Sequence, residues 1–295
     1  MLQTVIHVQN QLGEGPCWDD RTQLLYWVDI YGHLIQRYDP ATKVYTRFQM
    51  SEMVTSIWPT VSDRFVVTTS NGIALWQPGT ETLTKIATVE LGGVNMRLNE
   101  SGVDAEGRIW FGCMEIDAAD RQALGAKLFH MSPEGVVTVK DTGIGLANGI
   151  GWSSDQQTMY LVDSYQGIIL AYTTSKSDAS LSQRRTLIQV TEPGAAPDGL
   201  RVDADGNLWV ALYNGAKVVQ YSPQGQLLAE IAVPVAKPTC CVFAGTTFSD
   251  LYISTTQEGY PQSELTPESQ MGDLFVTTVA AHGLPMNRFD DRFWW

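Results

Sequence analysis

Apolar positions along this chain come in short bursts. Runs of β-branched and aromatic residues, broken by Gly, Pro, Asp and Ser, dominate, and stretches with helical periodicity are few. The bursts recur. An aromatic followed by apolar residues appears in "LLYWVDI", "RIWFGCM", "TMYLVDS", "NLWVALY" and "DLYISTT", carrying Tyr26, Trp110, Tyr160, Trp209 and Tyr252, with a weaker copy from Asp63 in "DRFVVTTS". Polar turns such as "DAEGR" and "DADGN" precede them, and a further strand and turn follow several, as in "AKLFHMSPEG" and "AKVVQYSPQG". The six units are spaced by roughly 40–50 residues, the period of a propeller blade. One small sheet cannot bury both of its faces, whereas blades stacked around an axis bury each other and a closed ring leaves few open edges. The pattern therefore predicts an all-β fold, a six-bladed β-propeller occupying residues 1–295 as a single domain; a β-sandwich or a pair of β domains is the alternative. The terminal stretches "TVIHVQ" and "DLFVTTVA" are expected to share a blade and close the ring. Residues 173–185 and 257–272 read as solvated excursions within blades.

The phase of the repeat exposes candidate chemistry. Aligned on the apolar residue before each turn (Trp18, Val103, Trp152, Val202 and, less surely, Phe243), the position four residues earlier holds Glu14, Asn99, Asn148, Asp198 and Thr239. This phase lies near the start of each unit's first strand, and first strands line a propeller's axis. Oxygen-bearing side chains from different blades should therefore converge at one mouth of the channel. Two carboxylates crowded with an amide repel each other and are poorly solvated unless a cation sits among them. Glu14, Asn148 and Asp198 offer oxygen ligands suited to one divalent ion, calcium, magnesium or manganese, with zinc as a further option. Three protein ligands leave positions open for water and substrate. Arg97 lies two residues before Asn99, on the same strand face, where it could grip hydroxyl or carbonyl oxygens.

Composition narrows the partners. A net charge of −13 argues against nucleic acid, and no apolar run approaches the length of a membrane span. The N-terminus does not read as a secretory signal. Cys17, Cys113, Cys240 and Cys241 form no C-x-x-C pair and read as buried thiols in a reducing, cytoplasmic setting. The four histidines are scattered without an H-x-x-x-H motif, which disfavours a histidine-built zinc site. Ser56 and Ser101 lack a histidine in matching phase, so a covalent acyl-enzyme is not expected. Nothing in the sequence sets the oligomeric state.

At these residues the chain resembles the SMP-30/gluconolactonase/regucalcin family. The matching segments are "LGEGPCWD", "MRLNESGVDAEGRIWFGCM", "LANGIGWSSDQQTMYLVDS", "PDGLRVDADGNLWVALYNG", "KPTCC" and "GDLFVTTVAAHGLPMNRF", in family order along nearly the whole chain. The resemblance implies one divalent metal in the propeller channel, calcium foremost, held by Glu14, Asn148 and Asp198, with Arg97 and Asn99 as substrate contacts. It implies hydrolysis of a gluconolactone-like sugar lactone to the aldonic acid. Asp198 is then the candidate catalytic base, the alternative being that the metal itself supplies the hydroxide. Two departures bear on the substrate. Asn99-Glu100-Ser101-Gly102 stands where the family reads Asn-Asp-Gly-Lys, and Cys113 stands where it reads Thr. Glu115 or Asp117 is expected to supply an acidic substrate contact. The competing expectations are a propeller hydrolase of organophosphates or other esters, and a non-enzymatic calcium-binding propeller.

Overall fold

The computed structural model describes residues 1–93, 95–116 and 124–294. Six four-stranded antiparallel sheets follow one another around a ring. Their innermost strands are Gly13–Asp19, Val54–Pro59, Met96–Val103, Ala147–Trp152, Ala196–Val202 and Pro238–Ala244, which define blades 1 to 6. Five blades use four consecutive strands. Blade 6 takes three from the end of the chain and its outermost, Gln3–Ile6, from the beginning, paired Thr4 to Phe275. This is the closure expected from the two terminal stretches. The described residues contain no α-helix and one 3-10 turn, Gln262–Glu264.

Burial falls from the axis outward. The innermost strand of blade 1 is buried throughout, whereas the outermost strand of blade 5, Leu227–Ala232, is almost wholly exposed. The recurrent aromatics sit on second strands, between neighbouring sheets, where Trp110 and Tyr26 are fully buried. The repeated turn motif has its own chemistry. The Asp104 carboxylate accepts the N–H groups of Glu106 and Arg108 at 3.1 and 3.0 Å and the indole N–H of Trp110 at 2.8 Å. Asp203 repeats this for Asp205, Asn207 and Trp209 at 3.0, 2.8 and 2.9 Å. The glycine of each turn, Gly107 and Gly206, has a positive φ of 76° and 86°, open to glycine at little cost.

The last dozen described residues form a strap across the ring. Its backbone pairs with Pro59 and Val61 of blade 2 through Phe289, and with Gly107 of blade 3 through Asp290. Side chains of Met286, Asn287 and Arg288 bond to Trp18, Val103 and Asp20. These partners lie at or just beyond the C-terminal ends of innermost strands, opposite the ends that carry Glu14, Asn148 and Asp198. Among the described residues no helix is long and apolar enough to cross a membrane.

Candidate metal centre and substrate cavity

Each innermost strand breaks register with its neighbour at the phase singled out in the sequence. The shifts fall between Glu14 and Cys17, Val54 and Ser56, Leu98 and Ser101, Ala147 and Ile150, Pro197 and Leu200, and Pro238 and Cys240. Such a bulge leaves one or two residues out of the ladder and re-aims their side chains. Asn99, Asn148, Asp198 and Thr239 all lie within these breaks, Glu14 borders one, and Thr55 fills the equivalent place in blade 2. Close packing requires small neighbours here. A Cβ on Gly199 would stand 2.3 Å from Cys240 Sγ, and one on Gly149 would stand 2.4 Å from the backbone nitrogen of Leu200.

A cavity of about 490 Å³ opens over this ring of bulges, and Glu14, Arg97, Asn99, Asn148 and Asp198 all line it. All five are buried. Asn148 Nδ2 donates to Asp198 Oδ1 and, at 3.2 Å, to Ser164 Oγ. Asn148 Oδ1 has no partner. Arg97 Nη1 donates to Asn99 Oδ1 at 2.7 Å, and Asn99 Nδ2 donates to the carbonyl of Ala147 at 3.1 Å, so these two residues form one unit on one strand face. Burial, then the charge of Glu100, pushes the Glu14 carboxyl up to about 8, although the N–H of Gly15 at 3.0 Å opposes the shift. Asp198 is likewise raised well above the usual carboxylate range, by burial first and then by Glu14, Glu100 and Glu258.

Sequence reasoning did not find Glu100. It was read only as a departure from a family pattern, yet it is a third buried carboxylate whose ligand oxygen lies, with those of Glu14 and the thiol of Cys240, in a cluster no wider than 4.8 Å. The bulge makes this possible, because strict alternation would send Asn99 and Glu100 to opposite faces. Arg201 answers part of the charge. Its guanidinium lies 4.0 Å from Glu100 Oε1, donates to the carbonyls of Leu200 and Pro16 at 2.8 and 3.2 Å, and sits 5.1 Å from the Trp58 ring centroid. A cation seated between Glu100 and Cys240 would face this fixed positive charge. Glu100 Oε1 and Asn148 Oδ1 both lack a hydrogen-bond partner, and Asn148 Oδ1 is the one of the two not paired with Arg201.

Of the two residues expected to supply an acidic substrate contact in blade 3, Glu115 is not among the described cavity residues. Glu115 is exposed, and the cavity is lined instead by its neighbour Met114, as alternation along the strand requires. Asp117 lies outside the described residues. The excursion from Gln257 is not wholly solvated either: Glu258 and Gly259 line the cavity. Ser56 Oγ bonds to Ser101 Oγ and Thr68 Oγ1, and no histidine joins this hydroxyl cluster among the described residues. All four cysteines are buried and unbridged.

Ring and cavity together define a class: a six-bladed propeller with buried oxygen donors gathered at one mouth of its channel. The chain belongs to the SMP-30/gluconolactonase/LRE-like family, whose model matches residues 12–257. It is 30% identical over 286 residues to regucalcin of Danio rerio, covering 96% of each chain. It is also 30% identical over 274 residues to YvrE of Bacillus subtilis, provisionally named a sugar lactone lactonase, with 92% of each covered. Among solved structures it superimposes on a luciferin-regenerating enzyme with a TM-score of 0.91 at 29% identity, covering 98% of this chain and 99% of that one.

Proposed function

We propose that this protein is a divalent-metal-dependent hydrolase that opens sugar lactones to aldonic acids. The observation that carries the reading is the unpartnered, buried Asn148 Oδ1 on the amide bonded to Asp198, in one cavity with Glu14 and the Arg97–Asn99 unit. Buried carboxylates with raised proton affinity and an amide oxygen that accepts nothing are the donor set of a hard cation, and Glu14, Asn148 and Asp198 would hold it. When bound there, such an ion would supply positive charge to polarise a lactone carbonyl.

The chain's own residues do the rest. Arg97 and Asn99 hold sugar oxygens and turn the ester bond towards Asp198. Asp198 accepts a proton from the attacking water as the new C–O bond forms at the carbonyl carbon. That proton then passes to the ring oxygen as the ester C–O bond breaks, leaving a free carboxylic acid and a hydroxyl. A positioned base of this kind contributes about 10²–10⁴-fold. The family's lactonase names support the substrate class, and a cavity of this size is more than an ion-holding scaffold needs. The test is pH-stat hydrolysis of a panel of aldonolactones with calcium, zinc, magnesium or manganese, with and without chelator. Phosphotriesters run in parallel. Turnover of phosphotriesters alone, or turnover indifferent to chelation, would reject the reading.

A further inference from the structure

A sugar lactone presents several hydroxyl groups, each both a donor and an acceptor. Arg97 can serve their oxygens, but their protons need an acceptor. Among the described residues lining the cavity three are acidic: Glu14, Asp198 and Glu258. The first two are the cation's ligands in the reading above, on which this inference rests. Glu258 remains.

Its backbone is held from both sides. The Glu258 N–H is shared between the carbonyl of Gln11 at 3.1 Å and Thr256 Oγ1 at 2.8 Å. Its carbonyl accepts Lys237 Nζ at 2.7 Å and the Tyr213 hydroxyl at 3.3 Å. Lys237 is itself fixed, 4.3 and 5.3 Å from the ring centroids of Tyr260 and Tyr213. The next residue, Gly259, has a φ of 68°, a backbone conformation that strains other side chains, and a Cβ there would crowd Lys237 Nζ at 2.6 Å. The Glu258 carboxylate accepts the Tyr31 hydroxyl on Oε1 at 3.1 Å, and the Tyr31 ring centroid lies 6.0 Å from the Arg97 guanidinium carbon. Tyr31 thus links Glu258 to Arg97. An acid fixed through both its backbone and its side chain is prepared for a ligand rather than left to solvent.

We propose that Glu258 is the acidic substrate contact of this enzyme: with Arg97 it brackets neighbouring hydroxyls of a neutral polyhydroxylated lactone, and its charge disfavours lactones that carry a carboxylate. Tyr31 is a positioning residue for it. Blade 6 then supplies what the sequence led one to seek in blade 3.

The test compares glucono-1,5-lactone with the anionic glucaro-1,4-lactone at saturating metal, in the wild type, Glu258→Gln and Tyr31→Phe. Glu258→Gln keeps the side chain's shape. It should lower kcat/KM for the neutral lactone about tenfold, chiefly through KM, and narrow the preference for neutral over anionic lactone by about tenfold or more. Tyr31→Phe should move both quantities the same way by less. Unchanged KM and unchanged preference in Glu258→Gln would overturn the proposal. Calorimetric titration of sorbitol into the metal-loaded wild type and Glu258→Gln separates this failure from failure of the lactonase reading. If neither lactone is turned over, weaker sorbitol binding by the variant still upholds the Glu258 contact. Equal binding, or none to the wild type, overturns it.

Discussion

Asp163 accepts the backbone N–H of Leu146 at 3.1 Å, two residues ahead of Asn148. It also accepts the N–H of Gly145 at 2.9 Å. Asp29 does the same in blade 1, for Gln11 and Leu12 at 3.0 and 2.9 Å, just ahead of Glu14. In both blades a carboxylate ending the second strand clamps the chain as it enters the bulge. Such acids fix the direction of candidate ligands without touching an ion.

Asp163→Ala should therefore do two things. It should destabilise the fold by about 1–3 kcal/mol, because buried N–H groups lose their acceptor. It should also weaken divalent-cation binding about 10–100-fold, as loss of a group orienting a ligand does. Denaturant unfolding of the metal-free protein and calorimetric titration of calcium and zinc read the two effects separately. A variant that lost stability but kept its metal affinity would show that the clamp is structural only.

The candidate ligands themselves should behave differently. Glu14→Gln, Asn148→Ala and Asp198→Asn each remove charge or a donor from the mouth of the channel, where the hydrophobic packing between blades is untouched. Each should lose metal affinity, and Asp198→Asn should lower turnover at saturating metal by about a hundredfold or more. The folded state should survive in all three: Glu14→Gln and Asp198→Asn remove the desolvation penalty of a buried carboxylate, and Asn148→Ala gives up side-chain hydrogen bonds worth about 1–3 kcal/mol. Unaltered affinity in all three variants would remove the metal site.

Arg97→Ala addresses the substrate alone. The guanidinium bonds to Asn99 and to the carbonyl of Leu98, and no hydrogen bond joins it to the three candidate ligands among the described residues. Lactone hydrolysis should fall about tenfold to a hundredfold in kcat/KM, corresponding to about 1–3 kcal/mol, with metal affinity nearly intact. Normal kinetics on the best lactone would assign Arg97 to structure.

The raised carboxyls make a prediction about pH. Glu14 titrates at about 8 in the folded, metal-free protein, against 4.5 when exposed. Between these values the folded state binds more protons than the unfolded one, so stability falls as pH rises. Unfolding of the metal-free protein should thus become easier from pH 5 to pH 8. Cation binding needs the carboxylate, so at pH 7 it should expel protons, and affinity should increase with pH. Titrations of calcium in buffers of different ionisation enthalpy count the protons released. A proton count near zero at pH 7 would contradict the burial of Glu14 as the cause.

Much of this architecture was legible from spacing. The aromatic bursts placed second strands, the turns placed their starts, and a shared phase picked Glu14, Asn99, Asn148 and Asp198 from four blades. Glu100 escaped for a physical reason. Alternation with period two sends it away from Asn99, and only a bulge, which leaves no mark in hydrophobic pattern, brings both to the axis. Glu258 escaped because it follows a strand instead of opening one, so the aligned phase never sampled it. Glu115, expected with Asp117 from the family resemblance, is exposed, because alternation along the strand puts Met114 and not Glu115 on the cavity side. The pairing of the terminal strands, by contrast, needed only that a ring must close.

The strap supplies the last prediction. Phe289 is wholly buried at the end of the channel opposite the cavity, and Asp291 is buried with Arg64 Nη2 at 2.7 Å and Ser62 Oγ at 2.6 Å. The strap bonds to blades 1, 2 and 3 and, through Gly283, to Asp203 after the innermost strand of blade 5 and to Phe248 of blade 6, so it ties together parts of the ring that are far apart in sequence. Phe289→Ala removes a large buried side chain and should cost about 3–5 kcal/mol. Asp291→Ala removes the ion pair with Arg64, which keeps the backbone carbonyls of Trp294 and of residue 291 as acceptors, and should cost less, about 1–3 kcal/mol. Neither residue approaches Glu14, Asn148 or Asp198, so metal affinity at low temperature should stay near that of the wild type while thermal unfolding moves down by several degrees. Differential scanning calorimetry with and without metal distinguishes the effects: the added ligand should raise the midpoint of variant and wild type by similar amounts. A variant that unfolds at the wild-type temperature would show that the blades hold one another without the strap. A variant that keeps its midpoint but loses its metal would mean that this end of the channel governs the other.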